Sequence, residues 1–169
     1  MSREGALAVM VGVAIVLLAL MAFGWWRRRR RDATLAAPTE VPAGLEHFAE
    51  AEGLYVATTR HDAPLDRLAM RHLAYRARAR IAVAPAGVLL DLAGEPDVFL
   101  PADRLIGVGR ATWTIDRVVE RDGLVVIAWR VDDTTTADSY LRLQGAAPDD
   151  LVAAITRILP TTTSTGTDP

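Results

Sequence analysis

The strongest indication of the fold lies in residues 75–92, YRARARIAVAPAGVLLDL. Between positions 75 and 83, apolar side chains alternate with arginines, and this period of two is typical of a strand with one buried and one solvated face. The following residues 84–87, APAG, suit a type I turn with proline at its second position and glycine at its fourth. The pattern therefore predicts a hairpin that pairs Val83 with Val88, Ile81 with Leu90, Ala79 with Leu92 and Arg80 with Asp91.

Further segments rich in β-branched and aromatic residues flank this hairpin. Further strands are predicted at residues 54–59, 98–100, 105–108, 124–131 and 139–143. Together with the two strands of the hairpin, they make about seven when counted generously. The dipeptide Asp122-Gly123 predicts another hairpin, between residues 118–119 and 124–131. Residues 44–53 predict a short helix, because Leu45, Phe48 and Ala49 share one side and Gly53 is a natural stop.

An amphipathic helix is predicted to close the domain. Pro148 suits its first turn, and two aspartates there favour the positive end of the helix dipole. Leu151, Ile155, Ile158 and Leu159 share one face. Antiparallel strands followed by one such helix predict a mainly β barrel or sandwich whose open edge the helix covers.

An apolar run precedes the domain, since the 21 residues from Ala6 to Trp26 carry no charge. At about 1.5 Å per residue they form about 31 Å of helix, which matches a hydrocarbon core of about 30 Å. We expect one transmembrane helix, with Trp25 and Trp26 at the interface. The anchoring residues that follow are Arg27, Arg28, Arg29, Arg30 and Arg31.

The five arginines also predict the orientation of the helix. Before the run, only Arg3 and the amino terminus are positive, and Glu4 offsets one of them. The positive-inside rule therefore places the amino terminus outside the cell membrane and the rest of the chain in the cytoplasm. A cleaved signal peptide is disfavoured, because its charges would precede the run. Ala8 and Gly12 form a small-xxx-small pair that would allow a homodimer through the helix.

Composition divides the chain and limits its chemistry. The predicted parts are a membrane helix with its arginine cluster at 1–31, a linker at 32–43, a domain at 44–160 and a disordered tail at 161–169. Thirteen arginines against seventeen Asp and Glu give residues 44–160 a net charge of −4, which argues against nucleic-acid binding. The chain has no cysteine, and its three histidines lack the spacing of a zinc motif. We therefore predict no enzyme, no catalytic residue, no metal and no cofactor.

Two arginine groups are candidate anion sites. Arg76, Arg78 and Arg80 recur along one strand face, although the pairing of Arg80 with Asp91 favours a solvated, charge-paired face. The second group, Arg60, His61, Arg67 and Arg71, surrounds the loop after the first predicted strand and is a candidate anionic-ligand loop.

The stretches GLYVATTRHDAPLDRL (53–68), GVLLDLAGEPDVFLPADRLIGV (87–108) and GLVVIAWRVDD (123–133) resemble a known family. Its members are small actinobacterial single-pass membrane proteins with a bacterial PH-like domain, sometimes labelled transporter or export proteins. The resemblance implies a PH-like barrel or sandwich and brings no catalytic or ligand residues. Three functions stay open: a membrane-anchored interaction module for an unknown membrane or cytoplasmic protein, an accessory subunit of a transport system, and an anionic-lipid headgroup sensor.

Overall fold

A computed structural model of the chain describes residues 3–32, 35, 37, 40–111, 113–114, 117–118 and 123–160. The chain divides into two compact units at residues 34 and 35, which are described separately. In chain order the elements are α1 (Arg3–Asp32), β1 (Ala49–Arg60), β2 (Ala63–Arg67), β3 (Ala77–Ala84), β4 (Gly87–Leu92), β5 (Val98–Pro101), a 3₁₀ turn (Ala102–Arg104), β6 (Leu105–Ala111), β7 (Trp113–Thr114), β8 (Arg117–Val118), β9 (Leu124–Arg130), β10 (Thr136–Leu143) and α2 (Pro148–Thr156).

The first unit is the single long helix α1. Its stretch Val9–Arg27 has a mean hydropathy of 2.3, and none of it is buried within the protein. By length and composition, it is the one helix among the described residues that is long and apolar enough to cross a membrane. This agrees with the predicted apolar helix and suggests single-pass anchoring.

In the second unit, the hairpin predicted at residues 75–92 is confirmed in every pair. Strands β3 and β4 pair Val83 with Val88, Ile81 with Leu90, Ala79 with Leu92 and Arg80 with Asp91. The apolar partners are buried while Arg80 and Asp91 are exposed. Local alternation and turn chemistry therefore determine this part of the fold.

Most strands form one antiparallel sheet in the order β5-β4-β3-β1-β10-β9-β6, with β2 paired to β1. Laid flat, six spacings of about 4.8 Å would separate the edge strands β5 and β6 by about 29 Å. Yet only Ala102–Arg104 joins them, and the four steps from Pro101 to Leu105 span at most about 14 Å. The sheet must therefore curl over itself, which encloses the core.

Strand β1 lies at the centre of the curled sheet. Its first half pairs with β3 and its second half with β10, and Gly53 has a partner on both sides. A Cβ atom at Gly53 would collide with the carbonyl oxygen of Arg142 on β10, so the close approach of the two strands requires glycine. A β-bulge between Tyr55 and Ala57 then redirects the strand.

The closing helix α2 begins at Pro148, as predicted. Its residues Leu151, Ala154 and Ile155 are buried in the core that the curled sheet encloses. The half-buried Ile158 and Leu159, just after the helix, pack against the same core. The sequence-derived fold class, an apolar helix followed by antiparallel strands and a C-terminal helix, is confirmed.

Two local predictions are wrong. Residues 44–53 were expected to be helical, but β1 begins at Ala49, since pairing with β3 outweighs the helical spacing of the apolar residues. The hairpin expected around Asp122-Gly123 would pair β9 with residues 118–119; instead β9 pairs with β6 and β10. Asp122 itself lies outside the described residues.

The predicted linker, residues 32–43, contains two side chains that belong to the domain. Leu35 and Ala37 are 9% and 4% exposed and pack into its core. The predicted domain boundaries otherwise stay predictions, and the tail at 161–169 lies outside the described residues.

A chain of hydrogen bonds crosses the core. Trp129 Nε1 donates to Ser139 Oγ (3.0 Å), which lies 2.8 Å from Thr58 Oγ1. Tyr55 Oη lies 2.8 Å from both Thr58 Oγ1 and the Leu73 carbonyl oxygen. Because a phenol has one proton and a carbonyl only accepts, Tyr55 donates to Leu73 and accepts from Thr58. Each of the three hydroxyls in this hydrogen-bond chain then donates once and accepts once.

Replacing Ser139 with alanine should lower the free energy of unfolding by about 1–3 kcal/mol, because it leaves the buried indole N–H and the Thr58 hydroxyl without their partner. The measurement is urea unfolding of the full chain in detergent micelles. Thr156→Ala is the matched control, since that hydroxyl donates at 2.7 Å to the Val152 carbonyl but is exposed. It should change stability by less than about 0.5 kcal/mol. Equal losses of unfolding free energy in the two variants would contradict a stabilising role for the buried hydrogen-bond chain.

Candidate functional site

The candidate anionic-ligand loop surrounds the turn between β1 and β2. Arg60 Nε lies 3.3 Å from Asp66 Oδ2, and Arg67 Nη2 donates to the Ala74 carbonyl oxygen at 3.0 Å. Arg71 is exposed. The turn thus collects the predicted cations in one region, but the guanidinium groups of Arg60 and Arg67 are engaged by their own chain.

The fourth member, His61, pairs with a carboxylate that sequence reasoning did not single out. His61 Nδ1 lies 2.7 Å from Asp138 Oδ1 on β10. A carboxylate only accepts, so Nδ1 carries the proton in either charge state of the ring. The backbone N–H of Asp62 is directed at the other Asp138 oxygen at 3.4 Å, and this turn residue has a positive φ of 57°.

The surroundings of this pair favour the protonated, charged form of His61. Asp138 is 7% exposed, whereas the side chain of His61 is 40% exposed. The hydrogen bond to Asp138 raises the pKa of His61, and the Asp62 carboxylate, 3.6 Å from Nε2, acts in the same direction. Burial raises the pKa of the neighbouring Tyr140. The pair ties the β1–β2 turn to the start of β10.

A second loop, residues 68–76, is pinned beside this turn. Leu68, Met70 and Leu73 are completely buried, and Leu73 receives the hydrogen bond from Tyr55 described above. His72 Nδ1 lies 3.0 Å from Glu95 Oε2 in the β4–β5 turn, and its φ of 67° is positive. The loop is therefore a fixed part of the domain surface.

The predicted arginine face of Arg76, Arg78 and Arg80 lies beside an open groove of about 360 Å³ on the outer face of the sheet. Arg78 and Arg80 line it together with Glu52 and Asp91. In register, Arg80 lies between those two acids on β1 and β4. The groove thus balances two cations with two anions, as the solvated, charge-paired interpretation predicts.

The sheet has two ends that differ in accessibility. Strand β5 has four residues, three of them buried, and finishes at Pro101. Strand β6 has seven residues, mostly half-buried or exposed, with Ile106 46% exposed at a bulge. Among the described residues, β6 pairs only with β9. Arg110 near its end forms an ion pair with Asp149 of α2 at 2.8 Å.

The predicted membrane-anchoring residues all lie on the last turns of α1. Trp25 and Trp26 are 62% and 45% exposed. The Arg30 guanidinium lies 3.9 Å from the centre of the Trp26 ring, and the Phe23 ring centre lies 6.2 Å from that of Trp26. Arginine stacked on tryptophan presents one charged and apolar surface, a combination suited to a membrane interface.

Within the described residues, no group of three or more His, Cys, Asp or Glu side chains is placed to hold a metal ion. Ser139, the domain's one described serine, is buried in the core hydrogen-bond chain. Sequence reasoning identified His61 but missed Asp138, because 77 residues separate the two and no local pattern connects them.

Comparison with known proteins assigns the fold to a family. The model of the family described as Bacterial PH domain-like matches residues 32–156, which is most of the chain. The chain therefore belongs to the Bacterial PH domain-like family. No curated protein matches closely enough to count as a relative. PH-like domains are generally non-catalytic and suggest lipid or protein interactions.

The His61–Asp138 pair should make stability depend on pH. Folding raises the pKa of His61, so protonated His61 stabilises the folded state. This stabilisation is fully present below the unfolded pKa of about 6.5 and is lost as pH rises through the folded value. The difference in unfolding free energy between the wild type and His61→Gln should therefore be larger at pH 5.5 than at pH 8.5. Urea unfolding at the two pH values measures it.

Asp138→Asn is the matched background for this test. With the carboxylate removed, the effect of His61→Gln should lose most of its pH dependence, because the charge partner is gone. A pH dependence that persists unchanged in the Asp138→Asn background would exclude the pair as its source.

Proposed function

We propose that the chain is a membrane-anchored, non-enzymatic interaction module. Its domain lies at the cytoplasmic face of the cell membrane and binds an extended segment of a partner protein along β6. The observation that carries the proposal is that β6, against which α2 also packs, pairs with β9 alone among the described strands. A strand with one unpaired edge can offer N–H and C=O groups to another chain.

The composition of β6 supports this choice of edge. From Gly107 to Ala111 the strand pairs regularly with β9, beyond the bulge at Ile106. Gly107 and Gly109 carry no side chain that would hinder an incoming strand, and exposed Ile106 offers an apolar contact. Strand β5, short and ended by proline, offers no comparable length of edge.

The charges around the apolar helix support the proposed orientation. The five arginines Arg27–Arg31 outweigh Arg3 on the other side, and positively charged flanks are retained in the cytoplasm. An accessory role in transport fits the same topology, since one helix cannot itself form an alternating-access path. The identity of the partner decides between a general interaction module and a transport accessory.

Topology is tested with reporters fused after Pro169. A reporter active only outside the cytoplasm should be inactive, and one active only in the cytoplasm should be active. Replacing Arg27–Arg31 with glutamine and adding five arginines directly before Ala6 should invert this result for a large fraction of molecules. Activity of the external reporter in the unaltered chain would overturn the proposed orientation.

Partner capture by β6 is tested by crosslinking in native membranes followed by purification of the tagged full chain. Ile106→Lys places a charge on the edge and should reduce recovery of the co-purified protein about tenfold. Phe48→Lys is the matched control, since Phe48 is 42% exposed but lies outside β6. Equal recovery with both variants would contradict edge binding, and a polytopic transporter as partner would favour the accessory role.

A further inference from the structure

Charge is unevenly distributed in the domain. Residues 60–80 hold six arginines and two aspartates, a net charge of +4, whereas the rest of residues 44–160 holds seven arginines and fifteen acids, a net charge of −8. One contiguous segment is therefore strongly basic within an acidic domain. Such an asymmetry favours an anionic partner for that segment.

The same segment carries the most exposed large apolar side chains among the described residues of the domain. Tyr75 is 78% and Leu65 is 70% exposed, against 46% for Ile106 and 42% for Phe48. The guanidinium of Arg67 on β2 bonds to the Ala74 carbonyl, which brings the strand of Leu65 beside the residue that precedes Tyr75.

This exposure does not come from a loosely held loop. Leu68, Met70 and Leu73 anchor residues 68–76 in the core, and Tyr55 donates a hydrogen bond to the Leu73 carbonyl. On the other side, His72 bonds to Glu95. Because the loop is fixed at so many points, Tyr75 stays exposed to solvent as part of the folded structure.

Two arginines of the loop that carries Tyr75 are also exposed. Arg71 and Arg76 are exposed and make no hydrogen bond or ion pair with the described residues. By contrast, Arg60 and Arg67 are held by Asp66 and Ala74. The exposed arginines without a partner among the described residues thus belong to the same segment as Tyr75, residues 71–76, and not to the β1–β2 turn.

We propose that Leu65, Arg71, Tyr75 and Arg76, the docking patch, rest on the anionic lipid surface of the membrane that α1 crosses. Leucine and tyrosine enter the interfacial region, and the arginines meet lipid phosphates. The proposal depends on the membrane anchoring proposed above but not on partner binding by β6. It commits to a lipid surface, with no stereospecific recognition of one headgroup.

The tether strengthens a weak lipid contact. From Asp32, the last residue of α1, to Leu35, whose side chain is in the domain core, the chain has three steps and spans at most about 11 Å. A membrane-anchored domain on so short a tether meets the lipid surface at high effective concentration. Two basic and two interfacial side chains then suffice to orient the domain, although they would not hold a free domain.

The absence of cysteine in the chain allows a direct test. Single variants Leu65→Cys, Tyr75→Cys and Ile106→Cys of the full chain are spin-labelled and placed in nanodiscs of phosphatidylcholine with 30% phosphatidylglycerol. Labels at 65 and 75 should be accessible to oxygen and protected from a water-soluble nickel relaxant, while the label at 106 should be accessible to both. Labels at 65 and 75 as exposed to nickel as that at 106 would overturn the proposal.

The arginines are tested with the label kept at residue 65. Arg71→Gln/Arg76→Gln should weaken docking about twenty-five-fold, about fivefold for each arginine, and move the label into water. Arg130→Gln/Arg157→Gln, the same charge change at exposed positions outside residues 60–80, should leave its depth unchanged. In nanodiscs of pure phosphatidylcholine, the label at residue 65 should likewise lie in water. Equal effects of the two double variants would contradict the patch.

Another occupant of the patch would give a different result. Labels at 65 and 75 that stay in water in anionic nanodiscs, yet become protected in native membranes until those are treated with protease, would assign the patch to a protein and overturn lipid docking. Failure of β6 crosslinking would leave these lipid results unaffected, because the nanodiscs contain no partner protein.

Discussion

The three residues Ala102–Arg104 impose the constraint on which the rest of the domain depends. They join the two edge strands of a seven-strand path, so the sheet has to curl and cannot stay flat. Curling encloses one face as the core, which α2 then completes with Leu151 and Ile155. β5 and β6 meet at this turn without pairing to each other, so among the described residues β6 pairs with β9 alone, and α2 packs against it.

Inside that curl, the hydrogen-bond chain connects the core to the surface. The indole of Trp129 begins the chain and the Leu73 carbonyl ends it, with Ser139, Thr58 and Tyr55 between. Each hydroxyl is satisfied, so the burial cost of these polar groups is offset. Because the last acceptor belongs to the loop at 68–76, the position of this surface loop depends on core geometry.

Sequence reasoning succeeded where the determinants are local. Alternation and one turn determine the β3–β4 register, and twenty-one uncharged residues suffice for α1. It failed where distant pairing decides: the helical spacing of Phe48 and its neighbours gives way to pairing with β3, and β9 pairs with β6 instead of residues 118–119. The His61–Asp138 pair, 77 residues apart, likewise exists because β1 and β10 are neighbours.

Membrane attachment and partner recognition require different properties of the molecule, and in the proposed arrangement different residues supply them. In the proposed arrangement, a helix of about 45 Å with five arginines at its end would supply attachment without help from the domain. The domain can therefore be acidic overall, which a freely diffusing domain that binds anionic lipid could not readily be. Under the lipid-docking proposal, the net charge of +4 in residues 60–80 would orient the domain, because the acidic remainder would be repelled from the same lipid surface. An oriented domain would hold the edge of β6 in a defined position for its partner.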